Sequence, residues 1–545
     1  MSVPSMLVID GRHIIAGRDL KTASNSSGVP APSVTAAARY GLRKSADVSG
    51  HLGGTASNQS QPEENDEQRP LSDYLVGSFL EDALSKDDAN TISIYWPFEE
   101  TPDVQRKGKQ AETTDWRGRE AILYVCLNMI GEAKFIRLLS SRRRRHLFTY
   151  QFGQPPRENT TSLILVPPPT RSFVNTNAGL ANYTQIAFEA LNCATFSVMP
   201  WPVASLFGVG SGTGMVVHIG GYSTEIAVVV DSTVRTDVGG CVNIGKEDCI
   251  LHLADLLSKD DAIRNQITAG IRESSSETSS HTTADSVFRE LACGILDDED
   301  RGKIIIPLAS GQKAAIVGED GEEEEEEGVL NVAKILVTGD TKTIQQLKEN
   351  KNKKGAAANA AALAAAEKAA SDRAAQAAAE KAADVQTYHV ASLHLDVKVG
   401  PLRHRACEPL YRALDGMEYG SSRTVQEGMA LVMKNLEPAY RQAVWESIVV
   451  TGDLARIPSL PHAITSYLNM FLLSNPDRET EEQPNHYRIL KMPEYYPEFK
   501  NSSTNVAPFL GASIAAKAIL NGHSISKADY NQHGPAAIYL ATALE

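Results

Sequence analysis

Glycine turns at the ends of apolar strands are the residues of this chain best suited to chemistry. The segment GMVVHIGGYSTEIAVVVDSTV joins two apolar runs through Gly220 and Gly221, with a further pair, Gly239 and Gly240, just beyond. Glycine lacks a Cβ, so a turn built from it lets backbone N–H groups approach a phosphate closely. Two other places repeat the pattern: MLVID ends in Asp10 followed by Gly11, and VVTGD carries Gly452 before Asp453. A Gly-Gly turn is equally at home in an ordinary β-hairpin, so no single turn decides the matter. Asp10 reads either as a magnesium ligand or as a plain strand end, and a lone carboxylate makes a poor Mg²⁺ site. His218 reads either as a general base or as a packed histidine at the end of a buried strand. Arg12 and Lys246 are cations able to hold a phosphate.

The surrounding pattern supplies elements to position these residues. Met6–Asp10, Ser162–Pro168, Phe196–Trp201, Gly214–Gly220 and Glu225–Asp231 are short apolar runs bounded by turn residues, as strands of a buried sheet are. TQIAFEALN (Thr184–Asn192) has helical spacing, and SIVVTGDLARIPSLPHAITSYL (Ser447–Leu468) reads as strand, glycine turn and helix. The fold class expected is α/β, with parallel sheets covered by helices. The chain has 545 residues, more than one compact core accommodates, so two or more lobes with insertions are expected. Residues 21–70, rich in Ser, Gly, Asn and Gln, read mostly as a long loop. The serine-rich stretch from Ser274 and the glutamate run within residues 318–328 read as solvated loops. The alanine-rich stretch 355–384 favours helix but offers almost no apolar stripe for docking.

Composition excludes several classes. The net charge of −14 disfavours strong direct nucleic-acid binding, which depends on surplus Lys and Arg. No apolar run approaches the roughly 18 residues of a membrane span, and no secretory leader is expected at MSVPSMLVIDGRHIIAG. The six cysteines are scattered without Cys/His clusters, which argues against zinc and against a disulfide framework. The run Arg142–Arg145 resembles a nuclear import signal and reads equally as a solvated basic turn.

The order of the glycine turns, closed by APFLGASIAAKAI (Ala507–Ile519), resembles the layout of the actin, Hsp70 and sugar-kinase fold. Within it, DWRGREAILYVCLNMIG (Asp115–Gly131), the run from Asn159 to Gly220, LRHRACEPLYRALDG (Leu402–Gly416, with Glu408) and FLGASIAAK (Phe509–Lys517) are similar to actin and its relatives. The resemblance implies two lobes around a cleft, with disordered insertions. The first would take residues 1–20, 71–206 and the C-terminal return 471–545; the second would take 207–349 and 385–470, interrupted by the alanine-rich insertion 350–384. It also implies a nucleotide site at Asp10, Gly11, Gly220, Gly221 and Gly452.

Several residues depart from what actin-type hydrolysis needs. Arg12 and His13 stand where the first loop has small residues, and His218 and Gly221 stand in place of carboxylates. The water-positioning glutamine falls on Trp201 or its neighbouring prolines. Asp453 replaces a glycine and would set a carboxylate against the nucleotide's own charge. The expectation is a non-enzyme with no required cofactor, weak ATP binding without turnover remaining open. The tail through DYNQHGP (Asp529–Pro535) resembles fungal actin-related proteins of the SWI/SNF and RSC chromatin remodellers. That resemblance implies a nuclear structural subunit, acting on nucleic acid only indirectly. Its implied partners are a second actin-related protein, a helical segment of a Snf2-type ATPase and a small accessory subunit. Phe509, Leu510 and Ile514 are candidate contacts for such a helix, or core residues. A pointed-end dynactin subunit and an ATP-hydrolysing actin relative are the alternatives.

Overall fold

The computed structural model describes residues 5–10, 13–18, 34–43, 73–84, 92–98, 116–132, 162–168, 177–274, 284–297, 304–306, 315–317, 385–412, 423–457, 459–468, 486–496, 499 and 503–542. The chain divides into two compact units, Met1–Asp248 with Pro409–Glu545, and Cys249–Glu408.

In the first unit, β1 (Ser5–Asp10) is apolar on both faces: Leu7 and Ile9 enter one buried cluster, Met6 and Val8 another. Successive strand side chains point to opposite faces, so a strand covered on both sides reads as an unbroken apolar run. It folds back as β2 (His13–Arg18), which places Asp10 opposite His13. Beyond β2 lies β3 (Val34–Ala37). A separate three-stranded sheet is made by β4 (Tyr40–Arg43), β5 (Leu75–Val76) and β6 (Ile92–Tyr95).

Strands β3 and β4 lie inside the stretch 21–70 that reads as loop. Composition averaged over that stretch hides the short run in which Ala38, Tyr40 and Leu42 are buried. Tyr40 stacks on Tyr95 at 5.2 Å between ring centroids and meets Tyr74 edge-on at 5.1 Å. These partners are distant in sequence, so the contacts that hold the strand are invisible to local composition.

The chain continues through α1 (Ser78–Leu84) and α2 (Trp116–Glu132) to β7 (Ser162–Val166). Helix α3 (Asn177–Gln185), extended by a π-helical turn at Ile186–Ala190, then leads to β8 (Thr195–Val198). Strand β7 pairs in parallel with both β1 and β8. After α4 (Trp201–Gly208) comes a second hairpin, β9 (Gly214–Ile219) and β10 (Thr224–Val230), with β11 (Thr233–Val234) and β12 (Gly240–Val242) on the far side of β10. Helix α5 (Lys246–Lys259) follows.

The second unit contains α6 (Asp261–Ser274), α7 (Ala284–Asp297) and two hairpins, β13 (Ile304–Ile306) with β14 (Ala315–Val317) and β15 (Gln386–Val390) with β16 (Leu395–Val399). The acidic run and the alanine-rich stretch 355–384 lie outside the described residues, as does Arg142–Arg145.

Returning to the first unit, α8 (Val425–Asn435) starts with a capping box in which the Glu427 carboxylate accepts from the Thr424 N–H at 2.9 Å. Helix α9 (Pro438–Trp445) leads to β17 (Ile448–Gly452), which runs parallel to β9. Helices α10 (Leu460–Leu468) and α11 (Ala507–Gly522) follow, then β18 (Ile525–Ser526), which pairs with β8.

The two main sheets, β18-β8-β7-β1-β2-β3 and β11-β10-β9-β17, therefore share one plan: an antiparallel hairpin whose first strand also pairs with a later parallel strand. The hairpins make the sheets mixed instead of purely parallel. One core joins both sheets. Met6, Val8 and Ile164 from the first and Val216, Val229 and Val449 from the second pack with Leu206, Phe509 and Leu510 of α4 and α11. The two helices cross in close contact; a Cβ on Gly511 would lie 1.8 Å from the Ala204 carbonyl oxygen.

Candidate functional site

The second hairpin turn is sealed by its own backbone. The Gly220 N–H donates to the Ser223 carbonyl at 2.8 Å. The carbonyls of Gly220 and Gly221 accept from the N–H groups of Lys246 and Glu247, at 2.9 and 2.8 Å. Those N–H groups belong to the first turn of α5, where a helix leaves donors available to anions. The Gly245 N–H, just ahead, donates to Asp248 Oδ2 at 2.8 Å. These donors are thus spent inside the protein.

Gly452 ends β17 opposite Ile219 with φ of +100°, and a Cβ there would lie 2.2 Å from the Ile219 carbonyl oxygen. Only glycine fits both the angle and the approach. The chain then enters a short 3₁₀ turn, Asp453–Arg456, which aims the Asp453 carboxylate back into the protein.

Asp453 meets a lysine and a histidine from distant parts of the first unit. Lys246 Nζ lies 3.3 Å from its Oδ2, and His13 Nδ1 lies 2.8 Å from its Oδ1, at an angle outside hydrogen-bond geometry. The side chains of Lys246 and Asp453 are 6% and 11% exposed. Burial alone would raise the Asp453 carboxyl, but the close contact with His13 and the charges of His13, Lys246 and Arg456 outweigh it and hold the group well below the usual carboxylate range.

Beside this cluster, His218 is buried against Trp201, with ring centroids 5.6 Å apart, and its Nδ1 is 3.3 Å from Thr451 Oγ1. Burial pushes its imidazole down to about 4, with the Asp453 charge opposing in part, so His218 is neutral at pH 7. Trp201, His218, Thr451 and Asn505, with Val8, Ile9, Val166 and Pro508, line a cavity of about 10 Å³, close to the least volume that holds one water.

The structure brings Gly220, Gly221 and Lys246 together through backbone contacts, and Gly452 reaches the same place through β17. Asp10 ends β1 opposite His13. Gly11 and Arg12 lie outside the described residues. Of the three candidate contact residues, Phe509 and Leu510 are fully buried in the core shared by both sheets, so their side chains present nothing to a partner. Ile514, on the same helix, is 41% exposed. Sequence reading missed His13 as a partner of Asp453. Both were visible as departures from glycine or small residues, but nothing local pairs residues 440 positions apart.

A second buried carboxylate lies in the other unit. Glu408 accepts from Arg405 Nε at 2.7 Å and Nη2 at 3.0 Å, and its Oε2 is 3.1 Å from His252 Nε2. Burial raises its carboxyl, but the hydrogen bonds and charges of His252 and Arg405 outweigh that and bring it down to about 2.

Two mixed sheets built on one hairpin plan, joined by a shared helical layer and carrying glycine turns at their strand ends, define an actin-like fold. Comparison with known proteins agrees: residues 140–291 match the actin family model, and the chain resembles divergent actin-related proteins. It is similar to the SWI/SNF and RSC complexes subunit arp9 of Schizosaccharomyces pombe, being 24% identical over 388 residues that cover 65% of this chain and 68% of that protein.

Proposed function

We propose that this protein is a non-catalytic, nuclear actin-related subunit of a SWI/SNF- or RSC-type chromatin remodelling complex. It pairs there with a second actin-related protein, engages a helix of the Snf2-type ATPase and contacts a small accessory subunit. The observation that carries this reading is the similarity to the fission-yeast SWI/SNF and RSC subunit across most of both chains. The absence of turnover is supported by the site. Where a nucleotide's phosphates and magnesium would need room, donors and carboxylates, there stand Trp201 and neutral His218 around a cavity of about 10 Å³. The buried Asp453 carboxylate already engages Lys246, a cation that a phosphate would need. Among the described residues the fit to a Mg-nucleotide is therefore poor, and no hydrolytic step is assigned to them.

Affinity purification of the tagged protein from its native cells, followed by mass spectrometry, tests the assembly. A second actin-related protein and a Snf2-type ATPase are expected in stoichiometric yield. Recovery with dynactin subunits in their place overturns the reading. Turnover of radiolabelled ATP by the purified protein, above the background of a His218→Ala variant and absent from a mock purification, overturns the non-catalytic part.

A further inference from the structure

The second unit is inserted into the chain of the first: the polypeptide enters it within α5, between Asp248 and Cys249, and leaves it between Glu408 and Pro409. Inside it α6 packs on β16 and on α7, and α7 packs on β15. Ile263 and Ile267 of α6, Leu291 and Ile295 of α7, and Val390 and Val397 of the hairpin are buried. Two side chains also grip the hairpin backbone: Glu290 Oε1 accepts from the Ser392 N–H at 3.1 Å, and Gln266 Oε1 from the Lys398 N–H at 3.4 Å. A unit packed in this way can open while the remainder of a protein stays folded. What opposes its opening is whatever keeps its entry and exit together. We infer that the His252–Glu408 pair is a conformational clasp: made, it holds entry and exit together and suppresses opening of the second unit as a body; broken, it lets that unit open while the first stays folded.

Glu408 is the last residue of the unit, and it begins the short helical turn Glu408–Tyr411 by which the chain departs. Its side chain is 3% exposed, and an ionised carboxylate can only accept, so His252 Nε2 donates to its Oε2 at 3.1 Å. His252 stands about one turn past the entry, on α5, so this bond joins residues 156 positions apart in the chain. Arg405 holds the same carboxylate in position through Nε at 2.7 Å and Nη2 at 3.0 Å. Arg403 Nη1 donates to the carbonyls of Val399 and Gly400, at 3.4 and 3.3 Å, which braces the exit segment against the end of β16. The two bonds to Glu408 differ in what they restrain. Arg405 is three residues away and fastens only the exit segment, whereas His252 closes a loop that contains nearly the whole unit. Holding the ends of a long loop together lowers the entropy that its contents lose on assembling.

The test is hydrogen–deuterium exchange, resolved by peptide, on the full-length protein and its variants at neutral pH. His252→Leu removes the long-range donor and leaves Arg405 on Glu408. It should speed exchange in α6, α7 and the β15–β16 hairpin together, by roughly 10-fold or more for the loss of one hydrogen bond to a charged group, while β1, β7 and α11 keep the wild-type rate. Arg405→Leu should change only peptides within residues 401–411, and His252→Gln, whose amide can still donate, should exchange more slowly than His252→Leu. Acceleration confined to α5, acceleration shared equally by both units, or an equal effect of Arg405→Leu on α6 and α7 overturns the clasp. Should His252→Leu fail to fold, the wild type in low concentrations of urea decides. There α6, α7 and the hairpin are expected to share one opening that precedes that of β1 and β7, and separate openings, or one shared with β1 and β7, overturn the inference.

Discussion

The carboxylates of Asp453 and Glu408 keep similar company, each between a histidine and a basic side chain, yet their partners are placed very differently. Around Glu408, Arg405 makes two parallel hydrogen bonds and is itself 41% exposed, so its charge remains partly solvated. Around Asp453, Lys246 makes one longer contact and is 6% exposed, while His13 approaches off the line of a hydrogen bond. A bidentate pair at the edge of water is a staple whose parts survive separation. The Asp453 cluster holds a cation that has no such recourse to water. The first arrangement leaves its basic partner within reach of solvent; the second holds its lysine almost wholly inside the protein.

The largest expected effect follows from that difference. Asp453→Asn should cost about 3 kcal/mol, since it takes the carboxylate away from a lysine that is only 6% exposed, and a denaturant melt of the two proteins checks it. Next comes pH. His218 falls from an ordinary 6.5 to about 4, so the unfolded state binds the proton more readily. Its contribution is complete above pH 6.5 and is lost as pH drops through 4, by about 3 kcal/mol. Equilibrium melts across that range should show the slope, and His218→Leu should flatten it. An unchanged slope in the variant would move the effect to another group.

Glu408→Gln should cost less than Asp453→Asn, about 1 to 2 kcal/mol, because Arg405 can turn to solvent. Equal costs in the two variants would break the contrast. The acid limits sharpen it further. The stability due to Glu408 is present above about 4.5 and lost as pH falls through about 2. The contribution of Asp453 persists into more acid solution, because its carboxyl lies lower still. Hydrogen exchange resolved by peptide should therefore show protection lost first near Glu408. Smallest is Ile514→Glu, expected within about 0.5 kcal/mol of wild type for an exposed site. Full retention of remodeller subunits by that variant in the affinity purification would remove Ile514 from the proposed contact surface.

Much of the fold could be read from the chain. The apolar runs at Met6, Ser162, Gly214, Glu225 and Ile448 are strands, because unbroken apolar stretches between turn residues fit a sheet covered on both faces. The glycine turns were legible as turns, and Gly452 is one that no other residue could replace. Strands β3 and β4 were not legible, since Tyr40 is held by Tyr74 and Tyr95 and not by its neighbours. The helix of Phe509, Leu510 and Ile514 was recognisable, but which side faces the core depends on where two sheets meet it.

The sequence by itself determined the long apolar strands, the glycine positions and the departures at Trp201, His218 and Asp453, because those are properties of residue type and spacing along one chain. Only the tertiary structure decided what the departures do together. Asp453 alone would repel an anion; set beside Lys246 and His13 it becomes their counter-charge. Electrostatic energy in a buried site depends on distance and on the exclusion of water, and both are created only when segments hundreds of residues apart are packed into one core.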